Sequence, residues 1–284
     1  MTDINKAGFQ IKNDIDEYIA CDIYYPVEIK KTLPLILISH GFKGWKDWGF
    51  FPYVSERISK AGAIVVCFNF SLNGMKEGSD LVSDIDKFAN NTISQEIEDL
   101  NILIKSFRNF TIPEFQELEK YWNNNIYLLG HSLGGGISLL ASKTNPSIKK
   151  IAIWSSVAKF DRYSERQKDI WRKNGFIEFT NQKTNQMLKM NLSYLEDVDN
   201  NRDLFNLSNT IAGLDTAVLL IHGRQDVTVP LKEAEMLIKA DRNNIITTEI
   251  IEKTGHTYGI EHPFQGTTPA LEKAINKTIE FFRL

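Results

Sequence analysis

Short apolar runs recur along this chain, and most of them do not alternate with polar residues. Residues 35–39, 63–68, 126–129, 150–154, 217–221 and 245–251 are each too short for a typical helix and too evenly apolar for a strand with one wet face. Runs of this kind suit strands buried on both faces, and so a mostly parallel sheet covered by helices on each side. Residues 18–25, rich in β-branched and aromatic types and halted at Pro26, read as a further strand. Helical stretches lie between the runs. Ile93, Ile97, Leu100, Ile104 and Phe107 form one apolar stripe behind a cap at Thr92 or Asn91. Leu271, Ile275, Ile279 and Phe282 form another, with Pro269 in its first turn. The expectation is a doubly wound α/β sheet.

One stretch breaks the rhythm. Between the runs at 150–154 and 217–221 the chain is polar and irregular, far longer than an ordinary connection. Two short apolar segments flank the turn-like residues 180–186, which predicts a small hairpin. An inserted lid is expected here in preference to a distorted crossover. The organisation is then core at 1–157, insertion at 158–212, and core again at 213–284. The insertion serves equally as a lid or as the contact of a homodimer. Its aromatics, including Phe160, Trp171 and Phe179, either wall a substrate pocket or fasten the insertion to the body.

Gly130-His-Ser-Leu-Gly134 carries the chemistry. It follows a strand-like run and precedes a helix-like one, so Ser132 sits on a tight strand-to-helix turn where flanking glycines admit neighbouring backbone. A serine hydroxyl is a weak nucleophile at neutral pH and needs a base. Of five histidines, His131 should diverge from its neighbour Ser132, while His40 and His222 each follow a strand and shape the floor of the site. His256, in a loop after the last run, is the preferred base, with His262 its rival. Asp226, in the turn after 217–221, completes the order Ser132, Asp226, His256. Developing negative charge on a tetrahedral oxygen needs fixed donors, for which the backbone N–H groups of Leu133 and Phe42 are placed.

Those motifs, with His40-Gly-Phe and Val229-Pro230, resemble the α/β-hydrolase superfamily from Phe9 onward. The likeness is to serine esterases and to dienelactone-hydrolase-like and acyl-aminoacyl-peptidase-like branches. Similarity to feruloyl or cinnamoyl esterases implies an insertion over the acyl or alcohol pocket, with the Phe42 and Leu133 amides at the oxyanion. Dienelactone hydrolases use cysteine where this chain has Ser132, which argues against that activity. Oligopeptidase relatives carry an N-terminal propeller for which 284 residues leave no room.

Composition closes off other classes. A net charge of −3 gives no general field for nucleic acid or anionic membranes. No apolar run approaches the length of a membrane span or a leader, so a cytoplasmic protein is expected. Cys21 and Cys67 are too few for a disulfide framework or a cysteine zinc site, and read as core residues. The 197–203 segment resembles a calcium loop only loosely, since it lacks the glycine and closing glutamate. Asp80, Asp84 and Asp86 are spaced as a helical face. Neither metal nor cofactor is expected. The reading is a serine hydrolase of carboxylic esters with short or aromatic acyl groups, acting on a small-molecule ester. A peptidase or acyltransferase on the same triad, or a non-catalytic binding protein, are the alternatives.

Overall fold

The computed structural model describes residues 3–181 and 184–284. The chain enters through β1 (Ile4–Lys12) and β2 (Tyr18–Pro26), then runs β3 (Leu33–Ser39), α1 (Phe51–Gly62), β4 (Ile64–Phe68), α2 (Ile85–Ala89) and α3 (Ile93–Arg108). A 3-10 helix (Pro113–Tyr121) leads to β5 (Trp122–His131), α4 (Leu133–Thr144) and β6 (Ile148–Trp154). An excursion follows, made of α5 (Glu165–Asn174), β7 (Phe176–Asn181), β8 (Gln186–Asn191), α6 (Leu192–Asn200) and α7 (Leu207–Ala212). The chain then returns as β9 (Ala217–Gly223), α8 (Leu231–Ala240), β10 (Ile246–Ile251) and α9 (Pro269–Phe282).

Eight strands form one sheet in the order β1-β2-β4-β3-β5-β6-β9-β10. From β4 to β10 neighbours pair in parallel, while β1, β2 and β4 pair antiparallel at one end. Successive side chains of a buried strand feed opposite faces. Leu35, Leu37, Ile64, Val66, Ile126, Leu128, Val218 and Leu220 join the core under α3, α4, α7 and α8. Ile36, Ile38, Val65, Tyr127, Leu129, Leu219 and Ile221 join the core under α1 and α9. This double burial is why the runs lack alternation, and it gives the α/β-hydrolase fold.

Local signals act as read. The Thr92 hydroxyl accepts from Gln95 N at 3.2 Å and starts α3; Thr268 accepts from Leu271 N at 3.1 Å and starts α9. Cys21 and Cys67 are free and buried on opposite faces of neighbouring strands. Among the described residues no helix is long and apolar enough to cross a membrane.

The excursion is more ordered than its composition implies. Its hairpin pairs Phe176–Asn181 with Gln186–Asn191, and α2, α5 and α6 pack against it. Trp171, Leu188, Met190 and Tyr194 join the α3/α4 core without a break. α7 packs against α4 and α8, taking the place of a crossover helix in the core layer. Gln186 exchanges two hydrogen bonds with the Val82 backbone, and Lys189 pairs with Asp86 at 2.9 Å. In the acidic segment, Asp197 accepts from the Ser94 N–H and hydroxyl at the start of α3, and Asp199 pairs with Arg172 and Arg202. Both acids therefore bind protein donors.

Candidate active site

Ser132 stands between the end of β5 and the start of α4 with φ of 58° and ψ of −119°, a left-handed conformation costly for a non-glycine residue. Three hydrogen bonds hold it there. Ser132 N donates to Trp154 O at 2.9 Å, and Ser132 O accepts from Gly135 N at 3.1 Å and Val157 N at 3.2 Å. The flanking glycines are required by contact. A Cβ on Gly130 would lie 2.3 Å from Gly134 O, and one on Gly134 would lie 2.4 Å from both Ser39 O and His40 O. Gly41 lies on the other side of the serine; a Cβ there would meet Ser132 Cβ at 2.8 Å.

Asp226 and His256 come together as the sequence order implied. His256 Nδ1 donates to Asp226 Oδ2 at 2.7 Å, which leaves Nε2 as the free ring nitrogen. Asp226 Oδ1 accepts from Thr228 N at 2.9 Å and Val229 N at 2.8 Å. Burial works against the Asp226 charge, yet His256, the Val229 N–H and nearby His222 outweigh it and hold the carboxyl below its ordinary range. The two loops touch backbone to backbone: a Cβ on Gly223 would lie 2.5 Å from Gly255 O, and Gln225 N donates to Thr254 O at 2.9 Å. The Ser132 hydroxyl itself makes no hydrogen bond among the described residues.

Neither Phe42 N–H nor Leu133 N–H donates to an acceptor among the described residues. Leu133 opens α4, where the first amides lack intrahelical partners and the helix dipole favours negative charge. The carbonyl of the Gly41–Phe42 peptide accepts from His40 Nδ1 and from Gly44 N, each at 2.9 Å. A trans peptide points its N–H opposite its C=O, so these two bonds also fix the direction of the Phe42 amide. His40 is buried, and burial pushes it down to about 4, so the ring stays neutral.

The other histidines have different partners. His262 Nδ1 accepts from Gly49 N at 2.9 Å and Nε2 donates to Asp80 Oδ1 at 2.8 Å, which occupies both nitrogens. Trp45 and Trp48 pack around that ring. His222 Nε2 donates to Val229 O at 2.8 Å and lies 3.5 Å from Asp226 Oδ2.

The three insertion aromatics separate. Trp171 is fully buried between Tyr163 and Tyr194, in the core the insertion shares with α3 and α4 rather than at an open wall. Phe160 is buried over the first turn of α4, and its ring packs on Phe205. Phe179, on the hairpin, is half-buried with its centroid 5.6 Å from that of Phe42 and 6.3 Å from that of Phe88. The hairpin thus reaches the loop that carries the Phe42 amide. Arg162 ties the root of the insertion to the acid loop, pairing with Glu233 at 3.0 Å and donating to Thr228 O at 2.8 Å. No spacing in the sequence marks Arg162 or Phe88 as neighbours of the site.

Among the described residues no cluster of three or more His, Cys, Asp or Glu side chains could hold a metal ion. Two surface hollows, of about 260 and 470 Å³, lie along β2, and Ser132 lines neither.

Comparison with known proteins agrees with the fold. Est1E from Butyrivibrio proteoclasticus, with ferulic acid bound, superposes with a TM-score of 0.68 at 18% identity, covering 97% of this chain and 98% of that one. The α/β hydrolase GrgF from Penicillium sp. sh18 gives 0.71 at 13% identity, with 98% of each chain covered. A monoglyceride lipase homolog of monkeypox virus is 28% identical over 141 residues, 49% of this chain and 42% of that protein. The model of the prolyl oligopeptidase family matches residues 114–267, a stretch that contains Ser132, Asp226 and His256. That match spans more than half of the sequence, and the chain belongs to the prolyl oligopeptidase family.

Proposed function

We propose that this protein is a serine hydrolase of carboxylic esters, with a preference for short or aromatic acyl groups. The observation that carries the reading is Ser132, held at positive φ on the strand-to-helix turn, together with His256, whose Nδ1 is tied to Asp226 at 2.7 Å. Ser132 Oγ attacks the ester carbonyl while His256 Nε2 takes its proton. Asp226 stabilises the imidazolium that forms and keeps Nδ1 protonated. Phe42 N–H and Leu133 N–H receive the charge that develops on the carbonyl oxygen. His256 then returns the proton to the leaving alcohol. Water, deprotonated by the same nitrogen, cleaves the acyl-serine and releases the acid. In this reading the acyl group meets Phe42 and Phe179, whose rings pack together beside the loop that carries the Phe42 amide. The buried free thiols Cys21 and Cys67 support a cytoplasmic setting.

The test is hydrolysis of p-nitrophenyl esters from acetyl to decanoyl, with aromatic acyl esters included, by wild type and Ser132→Ala. The expected outcome is turnover of short or aromatic esters that falls at least about 10³-fold in the variant. Equal turnover by the purified variant would overturn the assignment. The family match favours a second reading, cleavage of amides by the same groups. Rates on a matched ester and anilide decide between them.

A further inference from the structure

We propose that His131 is a positioning residue that fixes the base-bearing loop relative to the nucleophile. The proposal rests on the reading of Ser132 and His256 as nucleophile and base. It assigns a role to a side chain that takes no part in the steps above.

His131 is the last residue of β5 and sits directly before Ser132. Its Nε2 lies 2.9 Å from the backbone oxygen of His256. A carbonyl only accepts, so Nε2 carries the proton and the ring is the Nε2–H tautomer. The two imidazoles face each other with centroids 4.7 Å apart and planes inclined by 51°. Phe50 and Phe51 stand edge-on to His131, at 5.3 and 6.2 Å. The ring is therefore packed between two aromatic side chains and the imidazole of His256.

The consequence is geometric. Ser132 is rigid because neighbouring backbone holds its strained φ, and His131 is bonded to it through one peptide. A packed side chain on that residue, donating to the main chain of His256, is a strut of fixed length from the nucleophile turn to the base loop. The Asp226 bond at Nδ1 controls how the His256 ring is turned. The His131 bond controls where the backbone that bears it stands. With only the first bond, the imidazole could pivot about Asp226 and carry Nε2 away from Ser132, a displacement that costs rate steeply.

The strut also suits the charge cycle. His256 becomes an imidazolium after it takes the serine proton, and a second cation against its ring would oppose that step. Burial and the neighbouring His256 push His131 down to about 3, so it stays neutral. A neutral ring at that distance adds no charge to oppose the transient cation.

Two variants separate the donor from the bulk. His131→Gln keeps an N–H at comparable reach, whereas His131→Leu keeps volume without a donor. The readouts are kcat and KM on p-nitrophenyl butyrate and the second-order rate at which a fluorophosphonate labels Ser132, with a melting curve for each protein. The expected result is that His131→Leu lowers kcat and the labelling rate by about 10- to 100-fold with KM within about twofold, while His131→Gln recovers most of the rate. A folded His131→Leu protein that labels as fast as wild type overturns the proposal, as does an equal loss in both variants. If His131→Leu does not fold, ¹⁵N-histidine NMR of the wild type decides. A His131 Nε2–H proton protected from exchange with solvent at neutral pH upholds the strut, and an Nε2 that bears no proton there removes it. A wild type that labels at Ser132 but turns over no ester defeats the ester reading and leaves the labelling comparison intact. A wild type that takes no label defeats both.

Discussion

Ser132 is held at φ 58° by groups that belong to other parts of the chain: Trp154 O, Val157 N and the close approach of Gly41. A residue in that conformation costs of order 1–3 kcal/mol and persists because its surroundings leave no alternative. Asp226 is similarly overdetermined, with one oxygen taken by two backbone amides and the other by His256. Asp226→Asn tests whether charge or shape matters there. The asparagine oxygen would keep the Thr228 and Val229 bonds and turn its NH₂ toward His256 Nδ1. The ring would then hold its proton on Nε2 and could not accept one from Ser132. The expected outcome is a fall in kcat of about 10³- to 10⁴-fold with little change in melting temperature. A loss below tenfold would show that Asp226 does not set the tautomer. At this scale the strand-to-helix turn at Ser132 and the pairing of Asp226 with His256 were legible, because strand, turn and order together point to them. The partners of the remaining histidines were not, since a ring that bonds a distant carbonyl leaves no trace in spacing.

Among the elements, α3 carries an unusual group. Glu96 lies in its first turn and is only 3% exposed; Asn91 donates to one carboxyl oxygen at 2.7 Å and the other has no partner among the described residues. Burial, against the Asn91 bond and with a small contribution from Asp99, pushes Glu96 up to about 8. The unfolded glutamate ionises near its ordinary 4.5, while the folded one keeps its proton to about pH 8. Between these values the unfolded chain binds fewer protons, so stability falls as pH rises. Glu96→Gln preserves the shape and removes this dependence. Its melting temperature should match wild type at pH 5 and exceed it at pH 8, by about 2–4 °C for each kcal/mol recovered. An identical shift at both pH values would refute the account. Sequence patterning reached the central strands, α3, α9 and the hairpin, each of which has an apolar face or a clear turn. It missed β1, where Phe9 alone is buried. It missed α5, which buries only Lys168 and Trp171, because the ion pairs of Lys168 with Asp161 and Glu165 do what an apolar stripe usually does.

The whole molecule has a stability window set by its buried titratable groups. His40 and His131 are neutral in the fold, pushed by burial to about 4 and about 3, and burial also lowers His222. An unfolded histidine takes its proton near 6.5, so the contribution of these three is full above that value and drains away as pH falls toward 4 and 3. The lowered carboxyl of Asp226 is likewise lost on the acid side. With Glu96 opposing from the alkaline side, maximal stability is expected between about pH 6 and 7. Urea unfolding at pH 4.5, 6 and 8 checks this, together with proton uptake on unfolding near pH 5 of about two or three protons. The sheet order itself was out of reach of local pattern, because placing β3 between β4 and β5 depends on which faces find cover. That order bears on how the protein is made. Ser132 lies before the excursion, while Asp226 and His256 follow it on turns after β9 and β10, the last strands to join. A chain emerging from the ribosome therefore presents its serine long before either partner exists. On the proposed mechanism, hydrolytic competence arrives only when the sheet's final edge is laid down, so truncated or stalled products of synthesis should carry Ser132 without the groups proposed to activate it.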